Sequence, residues 1–554
     1  PIGTGSPFNP VGIAGSGIAN NLAVGVYTFY AACSTNPNCR TATTFEIKPG
    51  PTPTLPANFA TCANEVTPLT VTGAGNTFTW TSTVANTLFS DAAGTVPYVP
   101  MTNASTVYVK TPSTVTVTVL ATLSVNGCQR SASVIISTPT TTWNGTAWSA
   151  GAPNANTAAV FNGNYVATGN LSACSVTINS GAVSFGVGQT LTVINDVKVL
   201  GGSLTMGNES SLLQVNNTTN TGNITYVRAS APVVRYDYSY WSTPVSPQTL
   251  GAASPSTSWD GFYSYSGTAW QWAPSATVMG IGRGYIIRVP LSYSTSIPSS
   301  QIVNFVGVPN NGTYTVPVVG GSNQLNLLGN PYPSALNADL FMSANSAVLD
   351  GTIYLWTHNT EIAKNAAGTE MVYTSDDYAN YNFTGSTSTF KSEECKTCPN
   401  NAKPIGKIAA GQSFFVKTIS ATSIQFNNNM RVGSKSDDKE FNSQFFKTTS
   451  ANSTKSRTAV VEKHRLWLNL TNNQGAFKQT LIGYVTGATN DLDARYDGQN
   501  FNGNAFINFY SINQNKNFTI QGRALPFDES DEVALGFKST MKGSFTIAID
   551  EVDG

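Results

Sequence analysis

Charge is what this sequence has least of. Asp, Glu, Lys and Arg make up 10% of its residues, against roughly 25% in an average soluble domain. Thr, Ser, Asn and Gly fill the deficit, a composition that favours strands and tight turns over helices. The formal net charge is zero, so the basic footprint of a nucleic-acid binder is missing and no nucleic-acid partner is expected. No apolar run approaches the ~18 residues that a membrane-spanning helix requires. Nor does any long stretch repeat apolar residues at the i, i+3, i+4, i+7 spacing of an amphipathic helix. The chain opens at PIGTGSPFNP, without the Met, basic stretch and apolar core of a signal peptide. It is therefore expected to be part of something longer.

Histidine is nearly absent, with only His358 and His464. No H-E-x-x-H, G-x-S-x-G or P-loop spacing occurs, and GQSFF at 411–415 lacks the second Gly of a nucleophile elbow. Carboxylates that converge in space remain a route to glycoside hydrolysis, with Asp237, Asp260, Glu361, Glu370, Asp376 and Asp377 as the candidates. The expectation is that the chain is not an enzyme. A calcium ion is the one cofactor with a place in the sequence: NDLDARYDG puts Asp491, Asp493 and Asp497 on one loop before Gly498, a hard-oxygen set near to an EF-hand spacing without matching it. The competing reading is a solvated loop whose carboxylates hold turns.

What is present is β-sequence. Residues 113–120 (STVTVTVL) alternate β-branched and polar residues at the period of a half-buried strand. At 554 residues the chain is too long for one core. The expected class is all-β, a multidomain chain of Ig-like β-sandwiches, a short β-solenoid or roll, a duplicated β module and a C-terminal β-sandwich. Residues 1–50 read as the end of an Ig-like repeat and 51–140 as a complete Ig-like sandwich, with FTWTS, TVYVK, TVTVTVL and ASVIIS as strands. Residues 141–222 carry short strands with Gly or Asn at nearly every turn, recurring at roughly 15–20 residues. Gln189, Asn195 and Asn216 are candidates for stacked ladders there.

Residues 223–432 contain four pairs of similar segments in the same order. YWSTPVSP parallels GNPYPSAL, GFYSYSGTAWQW parallels TIYLWTHNTEI, GIGRGYIIRV parallels IAAGQSFFVKT, and SSQIVNFVG parallels ATSIQFNNN. Two β-lobes of one plan are expected, with residues 285–287 and 414–416 on equivalent buried strands. Trp259, Tyr263, Tyr265, Trp270 and Trp272 in the first lobe offer a sugar-stacking platform. Aromatics at alternate hairpin positions also pack as core, and core packing is the expectation.

The seven cysteines fit an oxidising compartment. Cys33 and Cys39 bracket the turn STNPN, Cys62 and Cys128 lie near the ends of the 51–140 segment beside Trp80, and Cys395 and Cys398 form CKTC. These three pairs are expected as disulfides, with Cys174 left as a small buried apolar residue. Charge is also uneven: 10 of the charged residues fall in the first 220 positions and 28 from Arg431 onward. Residues 433–462 have the polar, unpatterned composition of a linker, followed by alternating strands to the end.

Those last strands carry a resemblance. RLWLNLTNNQGAFKQTLIGYVTGATNDLDARYDGQNFNG and FYSINQNKNFTIQGRALPFDESDEVALGFKSTMKGSFTIAIDEVDG, within 463–554, resemble the C-terminal sorting domains of type IX secretion substrates in flavobacteria, in the variant called type C. More loosely, YWSTPV, GNPYPS and the GQ-aromatic strand resemble modules that precede such domains in large surface proteins. The resemblance implies a secreted, cell-surface, adhesin-like protein of a Gram-negative Bacteroidetes bacterium. Its partners would be the type IX translocon with its outer-membrane carrier or shuttle proteins, then surface polysaccharide or other adhesin subunits. It also implies further strands after Gly554. The acidic turn Asp528, Glu529, Asp531 and Glu532 is the candidate translocon contact. The alternative is a non-catalytic accessory region of an exported hydrolase or glycan-binding protein.

Overall fold

A computed structural model describes residues 23–33, 36–125, 127–321, 324–357, 362–364, 371–373, 377–389, 403–433, 462–500 and 506–553. It is nearly all strand, as the composition implies, and it divides into two compact units that part near residue 140.

The first unit holds a hairpin, Gly25–Cys33 with Asn36–Ile47, and a two-sheet sandwich. One sheet orders Phe59–Ala60, Gln129–Ser137, Val115–Thr122 and Thr77–Ser82, and the other Thr67–Thr70, Thr106–Val109 and Leu88–Phe89. Val115, Val117 and Val119 point inward and the threonines between them outward, so strict alternation is what closes this core. Trp80 is buried there, its indole N–H donating to the Ala104 carbonyl at 2.7 Å.

The expected Cys62–Cys128 bridge does not form. Phe59 and Ala60 pair with Ile136 and Ser137, so Cys62 lies past the C-terminal end of strand Gln129–Ser137, while Cys128 precedes its first residue. Nine residues of strand separate them, roughly 30 Å at 3.3 Å per residue, and a disulfide needs Cα atoms within about 7 Å. Cys128 is exposed, whereas Cys62 is buried and disulfide-bonded. Cys174, expected as a buried apolar residue, is buried but is itself disulfide-bonded. The side chains of Cys33 and Cys39, and Cys395 and Cys398 altogether, lie outside the described residues.

The second unit begins with a stack of short parallel strands, a β-solenoid. Ala158–Asn162, Val176–Ser180 and Val197–Val199 form one side, Tyr165–Val166, Ala182–Phe185 and Ser203–Met206 a second, and Leu171–Ala173, Thr190–Val193 and Ser211–Gln214 a third. Leu191 pairs with Leu171 below and Leu212 above. Asn216 donates to the Asn195 side chain at 2.9 Å, the ladder expected on successive rungs. Gln189 accepts from the Gly186 N–H in its own turn and donates to the Ala167 carbonyl of the preceding rung.

No boundary falls at residue 222. Strand Ile224–Val233 is both the next rung, parallel to Ser203–Met206, and the antiparallel partner of Ser299–Pro309. One apolar core runs from Phe161 and Leu191 through Trp241 and Phe305. The two lobes follow with identical plans. In the first, the sheet order is Tyr238–Trp241, Tyr285–Arg288, Phe262–Tyr265, Trp270–Trp272. In the second it is Gln324–Gly329, Ser413–Thr418, Leu349–Trp356, Tyr378–Tyr381. A short helix follows the first strand of each sheet, Leu250–Ala253 and Ala338–Ala344. Register makes the match residue by residue: Tyr263 pairs with Ile286 as Tyr354 pairs with Phe415, and Tyr265 with Trp270 as Trp356 with Tyr378. Residues 285–287 and 414–416 are all buried on these equivalent strands.

Arg431 ties the lobes to the solenoid. It is buried, and its donors reach Ser334 Oγ, Asn311 Oδ1, Asn428 Oδ1 and the Leu212 carbonyl, with the guanidinium 4.7 Å from the Tyr332 ring centroid. Apart from residues 433 and 462, the expected linker lies outside the described residues. Residues 463–553 then form one seven-stranded sheet curved as a half-barrel, ordered Ala534–Ser539, Ile507–Asn513, Lys516–Arg523, Phe477–Val485, Lys463–Asn472, Phe545–Asp553, with Gly498–Gln499 also on Lys516–Arg523. The half-barrel is not the independent module the linker composition implied. Its convex face, with Trp467, Leu481 and Gln479, rests on residues 382–388 of the second lobe.

Candidate functional site

The two lobe sheets meet face to face through equivalent positions. Tyr240, Ile286, Tyr263 and Tyr265 of the first lobe meet Leu327, Phe415, Tyr354 and Trp356 of the second in one largely aromatic cluster. Alternation on Tyr238–Trp241 sends Tyr238 and Tyr240 into this interface, while Trp241 joins the solenoid-side core. Tyr240 stacks on Trp356 at 5.5 Å, and its hydroxyl lies 2.7 Å from that of Tyr378.

The cluster does not fill. It leaves a half-open pocket of about 320 Å³, lined by Tyr238, Tyr240, Tyr263, Trp270, Ile286, Trp356, Tyr373 and Tyr378. Its rims are Trp270 from the first lobe and Tyr373 from the second, each 37% exposed. Tyr373 donates its hydroxyl to the Tyr236 carbonyl at 2.8 Å. Behind the wall, Arg288 donates to Asp260 at 2.6 Å, and this bond holds the Asp260 carboxyl below its ordinary range. Burial pushes the Tyr238 hydroxyl up to about 12, so the lining tyrosine stays neutral at any physiological pH.

Of the five aromatics read as platform or core, Tyr263 and Trp270 line the pocket and Tyr265 packs on Trp270 and Phe415. Register places Tyr263, Tyr265, Trp270 and Trp272 on one face of the hairpin. Core packing therefore describes only part of the set. Trp259 is 73% exposed and meets Trp272 edge-on beside the pocket. The reason is that Trp270–Trp272 is an edge strand, whereas its counterpart Tyr378–Tyr381 is covered by Gln479 and Phe477 of the half-barrel. Tyr238, Tyr240, Ile286, Trp356, Tyr373 and Tyr378 were missed. The duplication carried the signal for Trp356, which matches Tyr265 in the paired segments, while the match of Tyr378 to Trp270 emerges only from strand register.

The carboxylates go elsewhere. Asp237 accepts from the Val234 N–H, closing a turn, and the Asp377 carbonyl accepts from Thr357. Glu361, Glu370, Asp376 and His358 lie outside the described residues. His464 is exposed beside Glu462. On the acidic loop, Asp491 accepts from Gln514, Asp493 from the Thr489 N–H, and buried Asp497 from the N–H groups of Asp493 and Gly522. Asp493 and Asp497 thus hold backbone while Asp491 ties to the Gln514 side chain, and among the described residues no three His, Cys, Asp or Glu side chains are grouped to hold a metal. The acidic turn splits. Asp528 caps Ser530, Asp531 is held by Arg523 and Tyr484, and Glu529 and Glu532 are exposed.

The half-barrel has open lips. Leu535 and Phe537 pair opposite Ser511 and Phe509, and Ile547, Ile549 and Val552 opposite Leu470, Leu468 and Leu466, so all five share the face of its apolar core. All five are nonetheless exposed, Ile549 to 65%.

Solenoid, paired lobes and half-barrel thus define a single all-β assembly built around an interlobe aromatic pocket. Residues 135–554 match a family described as a domain of unknown function (DUF8693), and the chain belongs to that family. No curated protein matches it.

Proposed function

We propose that the chain is part of an exported, adhesin-like surface protein, with residues 463–554 serving as the element read by a type IX translocon. The observation that carries this reading is the half-barrel's open edge at Ala534–Ser539. Among the described residues this strand pairs on one side only and turns Leu535 and Phe537 to solvent. An unpaired strand edge with an apolar stripe is a ready template for pairing with another chain, and a soluble protein ordinarily blunts it. Exposed Glu529 and Glu532 lie beside this edge. The wording of this segment, similar to type C sorting domains, supports the same reading.

Because the half-barrel leans on the second lobe, the test keeps them together. A periplasmic reporter is fused ahead of residues 135–554, extended by the strands that the resemblance implies after Gly554, in a flavobacterium with an active type IX system. Export is expected, together with its loss in Phe537→Lys, which changes an exposed position and leaves the fold intact. A reporter that stays periplasmic while an established sorting domain exports it overturns the assignment.

A further inference from the structure

The geometry points to the interlobe pocket as a binding site for a neutral sugar ring within a surface or extracellular polysaccharide. The reading stands apart from the export proposal, because it concerns the folded chain in solution.

Shape comes first. About 320 Å³ is at the small end of ligand pockets, roughly 300–1,000 Å³, and the mouth lies between Trp270 and Tyr373. An aromatic core with no ligand to serve would close on itself, since every uncovered ring face forfeits dispersion contacts. Here rings from both lobes converge on one space and leave it open.

Lining chemistry selects the ligand. Seven of the eight lining residues are aromatic, and flat π faces carry partial negative charge that attracts the C–H bonds on the face of a pyranose. Five of the seven are tyrosines, so hydroxyls stand beside the ring faces. The Tyr240 and Tyr378 hydroxyls lie 2.7 Å apart and share one hydrogen bond, and a hydroxyl oxygen so placed at Tyr240 has a second lone pair to offer a sugar hydroxyl. A lipid chain would leave those hydroxyls dry. Among the described residues no Lys, Arg, Asp or Glu lines the pocket to partner a charged ligand, and nearby Arg288 is already neutralised by Asp260 at 2.6 Å.

Extension beyond one ring is built in. Trp272 continues the aromatic face on the same hairpin, and Trp259, in the turn before it, meets Trp272 edge-on, where neighbouring units of a chain would lie. A polysaccharide thus suits the surface better than a free monosaccharide.

The full chain is run in native gels containing, one at a time, neutral glucans, mannans, xylans, galactans and soluble chitin oligomers, with an acidic polysaccharide and an aromatic-rich peptide alongside. Retardation by at least one neutral glycan is expected, with a shift in tryptophan emission because Trp270 and Trp356 line the site. Trp270→Ala and Tyr373→Ala, at exposed rims, should each weaken binding tenfold or more, and Tyr240→Phe should weaken it severalfold. Trp259→Ala should weaken binding less than Trp270→Ala does, and Phe527→Ala, an exposed ring on the half-barrel, should leave it unchanged. The proposal is overturned by no retardation across the neutral panel, by preference for the acidic glycan or the peptide, or by loss in Trp259→Ala with binding intact in Trp270→Ala.

Discussion

Single residues in this chain do work that their neighbours in sequence do not announce. Asp497 is the clearest case. It reads as a calcium ligand from its place after Asp491 and Asp493, yet the fold buries it with two backbone N–H donors. Burial pushes its carboxyl up to about 6, against roughly 3.9 in an unfolded chain. Between those values the folded state holds the proton that the unfolded state releases, so this group's contribution is full below about pH 4 and is lost as pH rises through 6. Stability measured by urea melts should accordingly fall between about pH 4 and 6, and the fall should be shallower in Asp497→Asn. An unchanged slope in the variant would show that Asp497 is not the titrating group. Repeating the wild-type series with calcium and with EDTA addresses the cation reading, because a bound cation would drive the same carboxyl down and reverse the slope.

At the scale of elements, glycine and pattern decide how much could be read in advance. Solenoid corners stack Gly163, Gly181 and Gly202 on successive rungs. Gly202 has φ +70°, and a Cβ there would meet the Gly181 carbonyl oxygen at 2.1 Å. Gly202→Ala should cost about 1–3 kcal/mol, read as a lowered urea midpoint, and a midpoint within error of wild type would mean the corner is looser than this. Such corners were legible because Gly or Asn recurs at each turn and the strands at each rung. The two lobes were legible because four similar segments recur in order, and their strand pairing follows that order. The pocket was not, because Tyr238, Tyr240 and Tyr378 look like ordinary alternating strand residues until the two sheets are laid together. The Cys62–Cys128 expectation failed for a related reason: proximity to the two ends of a domain in sequence says nothing about which end of a strand each cysteine occupies.

For the second unit as a whole, the family match spanning residues 135–554 has a physical counterpart, since each part buries a surface that its neighbour leaves exposed. The last rung of the solenoid is the first strand of the lobes, Arg431 bonds across both, and the half-barrel seals the edge of the second lobe. Charge and composition argued that 463–554 would be separable, but composition reports what faces water, and the convex face of the half-barrel does not. Trp467 lies at the centre of that contact. It is buried, its indole N–H donates to the Ser386 carbonyl at 2.8 Å, and the Lys403 ammonium sits 4.1 Å from its ring centroid. Asn382 and Thr384 of the lobe both donate to the Tyr496 carbonyl, and Gln479 accepts from the Ser388 N–H. Trp467→Ala removes the ring and leaves the Ser386 carbonyl without its donor, at a cost of about 3–5 kcal/mol. The loss should appear on both sides of the joint. In hydrogen exchange, strands Tyr378–Tyr381 and Leu349–Trp356 of the lobe should exchange faster along with Lys463–Asn472 and Phe477–Val485, while the sandwich of the first unit keeps its protection. Faster exchange confined to residues 463–553 would instead mean that the half-barrel is carried by the second lobe without supporting it.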